Sequence, residues 1–199
     1  KTKYTVLEIG MDKKGEINYL SNLIKPNLGL ITNISYAHIK NFKNLDQIAS
    51  SKGEIINNIV PGGIIVLNKD DKYYKFFCKK SKLRNIKIMS FSIKNKQSNV
   101  FFINQKKINK EKYLIFLMVN GLRKKFLISK QLIYYKENIL ASICIIANYF
   151  DINKLNSKLF ENFKIPISRG TIKEYLKNSK KINIIDESYN SNPLSFKFA

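Results

Sequence analysis

Apolar positions in the first half of the chain alternate between short continuous runs and longer stretches with helical spacing. Residues 4–10 (YTVLEIG) form a continuous run of the kind a strand buried on both faces carries. GEINYLSNLIKP (15–26) has its apolar residues at helical spacing and a stop at Pro26. LGLITNI (28–34) reads as a second buried strand. LDQIASSKGEIINNIV (45–60) reads as a helix, with Asn44 or Asp46 as N-cap and Pro61-Gly62-Gly63 as its end. GIIVLN (63–68) and IKIMSFS (86–92) give a third and a fourth strand. Strands separated by helices predict parallel pairing with right-handed crossovers, an α/β fold with a mostly parallel sheet flanked by helices.

Near residue 98 the texture changes. Residues 99–129 contain three β-rich runs divided by polar turns, and Asn120-Gly121 is a strong hairpin signal. An antiparallel flank is expected there. Two helices are expected next, at KENILASICIIANYF (136–150) and NKLNSKLFENF (153–163), then strands at GTIKEYL (170–176) and INIID (182–186). NPLSFKFA (192–199) reads as the start of a further helix. There is no internal repeat.

Composition narrows the function classes. No run approaches the roughly 18 apolar residues of a membrane span, and the opening residues do not read as a targeting segment. Cys78 and Cys144 lack metal-ligand spacing, which fits a reducing cytoplasm. The net charge of +22 raises a nucleic-acid partner as one reading. Yet of the 36 basic residues only Arg84, Arg123 and Arg169 are arginines, and the lysines are spread along the chain. Nucleic-acid surfaces favour the bidentate guanidinium. Abundant Lys, Asn and Ile point instead to AT-rich coding, so neither a nucleic acid nor a membrane is expected as partner.

In open α/β sheets ligands bind beyond the carboxyl ends of the strands. The first predicted strand ends at Glu8 and Gly10, the second leads through Asn33 to the lone histidine, His38, the third ends at Asn68, Asp70 and Asp71, and the last at Asp186 and Glu187. Each alone is what a solvated loop carries; the coincidence across four strands is informative. Glu8 stands out, because a carboxylate inside an apolar strand is costly to bury without a partner. Lys52 is the second anomaly. It shares a helix face with Leu45, Ile48, Ile55, Ile56 and Ile59, so its stem packs inward. Either the ammonium snorkels to water, or burial lowers the pKa of the amine and makes it reactive. No G-x-x-x-x-G-K-[ST] cradle occurs in the 199 residues.

The stretch LEIGMDKKGEINYLSNLIKPNLGLITNISYAHIKNFKNLDQIASSKGEI, together with IIDESYNSNP, resembles the central domain of the Mur ligases over nearly the whole chain. The combination of E-x-G-M, T-N-I…A-H, S-K-G-E-I and D-E-S-Y-N-x-N-P is specific where each alone is weak. The resemblance implies the central ATP-binding domain over residues 1–190, with 191–199 beginning a link to a further domain. It implies Glu8 and His38 as Mg²⁺ ligands and Lys52 as a lysine carbamylated by CO₂, its product an anion suited to a hard cation. It also places Asn138 at the adenine, Arg169 near ribose and phosphates, and one of Asp186 and Glu187 at the nucleotide. Tyr189, Asn190 and Asn192 complete that loop. Where the family has a His-Asn pair and often a histidine, this chain has Tyr134-Tyr135 and Lys13.

The implied activity is ATP- and Mg²⁺-dependent amide ligation in peptidoglycan precursor synthesis, joining D-alanyl-D-alanine to UDP-N-acetylmuramoyl-tripeptide through an acyl phosphate, by a monomer in the cytoplasm. The family's central domain opens with a phosphate-binding loop upstream of the residues present here, so the chain is expected to be a fragment, inactive alone. A related ligase adding another amino acid, a folylpolyglutamate synthase, and a basic nucleic-acid-binding module are the alternatives; DESYNSNP argues against the first two.

Overall fold

Three short strands, β1 (Leu28–Ile31), β2 (Ile64–Asn68) and β3 (Lys87–Ser92), lie side by side in parallel, with Leu28 opposite Ile64 and Ile64 opposite Lys87. The computed structural model describes residues 2–36, 41–166, 171–177 and 180–186. The chain divides into two units, Lys1–Asn99 and Val100–Ala199. The parallel strands belong to the first. Ile65, Val66 and Leu67 are essentially inaccessible, as expected of a β-branched run covered on both faces.

Helices connect the parallel strands of this first unit. α1 (Glu16–Ile24) ends where Lys25 turns left-handed just before Pro26. α2 (Leu45–Lys52) starts at Asn44, not Asp46: the Asn44 side chain accepts from the Gln47 amide at 3.0 Å. The helix tightens into a 3₁₀ segment over Gly53–Asn58, so the predicted single helix is two pieces. α3 (Tyr74–Lys82), which the apolar pattern does not announce, joins β2 to β3. Ile31, Ala49, Ile56, Ile59, Ile65, Leu67, Phe77 and Ile86 form one core; Met11, Ile17, Phe42 and Ile48 form a smaller one.

The second unit holds an antiparallel meander, β4 (Val100–Lys107), β5 (Lys112–Val119) and β6 (Leu122–Ser129). Asn120 and Gly121 both have positive φ, 47° and 85°, the signature of the tight hairpin that Asn-Gly predicts. α4 (Lys136–Ile146) packs on β4 and buries Ile139, Leu140, Ile143 and Cys144. The last two strands, β7 (Thr171–Lys177) and β8 (Lys180–Asp186), pair antiparallel as a separate two-stranded sheet.

Three expectations are corrected. Residues 4–10 form no strand: Val6 is 94% exposed and Leu7 56%, and no described strand pairs with them. An apolar run becomes a buried strand only where a neighbour takes its ladder hydrogen bonds and covers its faces. Residues 153–163 form no regular helix; a three-residue 3₁₀ turn at Ile152–Lys154 is followed by further turns. Asp151 accepts from the Asn153 amide and Asn156 from the Lys158 amide, and such local side-chain bonds compete with helix. Finally, the strand that ends at Asp186 is not one of the open sheet: among the described residues β8 pairs only with β7, in the separate antiparallel hairpin. The predicted helix start at 192–199, and with it the boundary near 190, lies outside the described residues.

Candidate functional site

The exits of β1 and β2 and the last turn of α2 converge in the first unit. Lys52 closes α2, where its stem packs half-buried, and its Nζ donates to the Asn33 carbonyl at 2.9 Å. Asn33 lies two residues past β1. One residue further, the Ile34 amide donates to Asp71 Oδ2 at 2.8 Å, and Asp71 Oδ1 accepts from the Tyr73 amide at 2.7 Å. Burial disfavours the charged ammonium and pushes the Lys52 pKa down from 10.5, against the attraction of the Asp71 carboxylate. An amine so placed is more readily neutral, and hence more nucleophilic, than a surface lysine.

Around this centre the loops are tied by short charged bonds. Tyr73 donates its hydroxyl to Asp46, in the first turn of α2, at 2.6 Å, and that acceptor raises the phenol pKa to about 12. Asp70 accepts from the Ser92 hydroxyl at 2.6 Å and from the Ile93 and Lys94 amides at 2.7 and 3.2 Å, which joins the exits of β2 and β3. The edge is therefore shaped by acceptors that use up backbone N–H groups, and Lys52 brings a nitrogen into it.

The other sequence-derived candidates fall as follows. Glu8 is exposed in the irregular stretch before α1, not buried in a strand, so the cost assigned to burying its carboxylate does not arise. Asn138 is exposed in the first turn of α4, after the exposed Tyr134 and half-buried Tyr135. Asp186 ends β8, opposite Thr171. His38, Arg169, Glu187, Tyr189, Asn190 and Asn192 lie outside the described residues. Among the described residues no three or more His, Cys, Asp or Glu side chains are grouped to hold a metal, and no helix is long and apolar enough to cross a membrane.

Sequence reasoning placed Asp71 at the strand edge but did not join it to Lys52, and it missed Tyr73 and Glu54. Glu54 is 8% exposed, and its carboxylate accepts from the Gly15 and Asn18 amides at 3.0–3.1 Å. An acid directly after a lysine and a glycine, and directly before the apolar pair Ile55-Ile56, was the available signal.

Residues 1–146 match the family described as Mur ligase middle domain. The UDP-N-acetylmuramoyl-tripeptide–D-alanyl-D-alanine ligase of Buchnera aphidicola from Baizongia pistaciae is 30% identical over 198 residues, 97% of this chain and 40% of that protein. The ligase of the same name from Bacillus subtilis is 28% identical across 100% of this chain and 40% of its own length. A crystal structure of MurF from Acinetobacter baumannii has the same fold, with a TM-score of 0.78 at 23% identity over 94% of this chain and 39% of that one. The chain thus spans about 40% of the length of these relatives. Its parallel strands, its antiparallel flank and its sequence over residues 1–146 agree: the chain belongs to the Mur ligase family and carries its middle domain.

Proposed function

We propose that this chain is the central part of an ATP-dependent amide ligase of cytoplasmic peptidoglycan precursor synthesis, one that joins D-alanyl-D-alanine to UDP-N-acetylmuramoyl-tripeptide. What supports it most is the end-to-end match with ligases that bear that name. The DESYNSNP segment of residues 186–193 lies within those matches.

In this reading the γ-phosphoryl group of ATP passes to the tripeptide carboxylate, giving an acyl phosphate and ADP. The amine of D-alanyl-D-alanine then attacks the acyl carbon, the new C–N bond forms, and phosphate leaves with the acyl C–O bond. Charge accumulates on phosphoryl oxygens throughout, and a bound Mg²⁺ would neutralise part of it. Glu8, His38 and a carbamylated Lys52 are the residues that would hold such an ion. The donor chemistry fits a hard cation: a carboxylate, an imidazole and a carbamate oxygen. Lys52 has the environment this needs, since capture of CO₂ requires the neutral amine that burial favours. The part of Asn138, Arg169, Asp186, Glu187, Tyr189, Asn190 and Asn192 is to hold the nucleotide.

The test uses the full-length protein that carries this chain. With ATP, Mg²⁺, the UDP-linked tripeptide and D-alanyl-D-alanine, it is expected to release phosphate and form the UDP-linked pentapeptide, seen by mass. Phosphate release with a single amino acid or with glutamate in place of the dipeptide, and none with the dipeptide, would overturn the assignment.

A further inference from the structure

Asn33 and Ile34 share one peptide unit, and both of its polar ends are engaged by the site. The carbonyl end accepts from Lys52 Nζ at 2.9 Å; the N–H end donates to Asp71 Oδ2 at 2.8 Å. In a trans peptide these groups point in opposite directions from one rigid plane. A carboxylate on the N–H and an ammonium on the C=O polarise that plane in the same sense, so each bond strengthens the other. Asp71 is itself held, because its second oxygen accepts from Tyr73, and the Tyr73 hydroxyl reaches Asp46 at the opposite end of the helix that carries Lys52. The turn after β2 therefore grips the exit of β1 and the start of α2 together.

We propose that Asp71 is a positioning residue for Lys52: by fixing the 33–34 peptide plane it aims the Asn33 carbonyl that holds the lysine nitrogen. This rests on the reading of Lys52 as the carbamate-forming residue. In that step the lone pair of the neutral Nζ forms an N–C bond to CO₂, one C=O electron pair moves onto oxygen, and a proton leaves nitrogen for solvent. One N–H remains on the carbamate nitrogen, so the Asn33 carbonyl can go on accepting from it. A carbonyl aimed by Asp71 would then set the rotation of the carbamate about its stem, and with it where the two oxygens point. Loss of Asp71 frees the plane to rotate and leaves the Ile34 amide without its acceptor.

The full-length protein equilibrated with ¹³C-bicarbonate gives the readout, a carbamate carbon resonance, alongside kcat and KM. Asp71 also favours the charged ammonium, so its removal is not expected to lower carbamate occupancy; what it loses is the aim. At bicarbonate that saturates the carbamate resonance of each protein, Asp71→Ala is expected to lower kcat severalfold, with KM for ATP and for the dipeptide within twofold of wild type. Asp71→Asn keeps a carbonyl oxygen for the Ile34 N–H and is expected to recover part of that loss. A merely structural role would lower the melting temperature and leave kcat of the folded, fully carbamylated protein unchanged. If Asp71→Ala does not fold, Asp71→Ser decides by the same criteria. A wild-type protein with no carbamate resonance overturns the reading of Lys52 and this inference with it. A kcat that Asp71→Ala leaves unchanged at full carbamate occupancy, or an Asp71→Asn as impaired as Asp71→Ala, overturns this inference alone.

Discussion

Glu54 caps a helix whose N-cap residue, Gly15, lies 39 residues before it. Gly15, at the N-cap of α1, has no side chain to offer, and both oxygens of Glu54 accept from its amide at 3.0 and 3.1 Å; Oε2 also takes the Asn18 amide. A carboxylate at this end of a helix also meets the positive end of the backbone dipole. Glu54→Ala strands these amides in a site that is 8% exposed and is expected to cost about 2 kcal/mol. Glu54→Gln, which keeps one acceptor, should cost about half of that. Urea unfolding of the two variants checks the order; equal midpoints for wild type and Glu54→Ala would show that the cap contributes nothing.

That long-range cap marks where sequence reading stops. The parallel strands were legible because residues 64–67 are a continuous apolar run and Lys87–Ser92 carries Ile88, Met89 and Phe91, and the hairpin because Asn120-Gly121 can adopt two successive positive φ values. Residues 4–10 carry the same apolar signal and form no strand, since the signal reports what a segment could bury and not whether a neighbour is there. The site was legible as single residues at strand ends. The bonds that tie Lys52 to Asn33, and Asp71 to Ile34, join residues 19 and 37 positions apart. No local spacing encodes them, and α3, with Phe77 as its sole fully buried large apolar side chain, is too weakly patterned to announce itself.

Gly63, at the entry to β2, is required by space rather than by backbone conformation. A Cβ there would stand 2.5 Å from Ile59 Cγ2 and 2.8 Å from the Asn27 and Val60 carbonyl oxygens. Two of those neighbours are backbone and cannot step aside. The Ile64 amide also donates to Asn27 at 3.0 Å, so the strand entry would shift with them. Gly63→Ala is expected to lose about 2 kcal/mol, within the range of overpacked cores. Thermal unfolding against Gly62→Ala separates this clash from strain, because Gly62 has open space but a φ of 74°.

Cys144 sits inside α4 with no accessible surface, and burial pushes its thiol pKa up to about 12. Alkylation requires the thiolate, so at pH 8 the native protein is expected to leave Cys144 unlabelled by iodoacetamide for as long as it stays folded. Cys78 is only half-buried and should be the first to react. Peptide mapping before and after urea checks this; labelling of Cys144 in the native protein at the rate of Cys78 would contradict the packing of α4.

For the full-length protein, Lys52→Ala is expected to lower kcat by at least a hundredfold. Short carboxylates such as acetate or formate, which can occupy the space of a carbamate, should restore part of it. A structural lysine would show neither response to acetate nor a dependence on bicarbonate. Full activity in Lys52→Ala would remove the carbamate from the mechanism.

The same lysine gives a pH dependence of known sign. Burial lowers its folded-state pKa below the unfolded value of 10.5, so between those two values the unfolded chain binds more protons. Stability contributed by this group therefore rises with pH through that window. Below the folded-state pKa the full cost of burying the ammonium is present, reduced by Asp71; above 10.5 it is gone. In CO₂-free buffer, the melting temperature of wild type relative to Lys52→Met is expected to move in favour of wild type from pH 7 toward pH 10.5. The exposed lysines titrate alike in both proteins and cancel in the difference. Should the difference stay constant across that range, the amine is hydrated as any surface lysine is, and the bond to Asn33 is not enough to make it reactive.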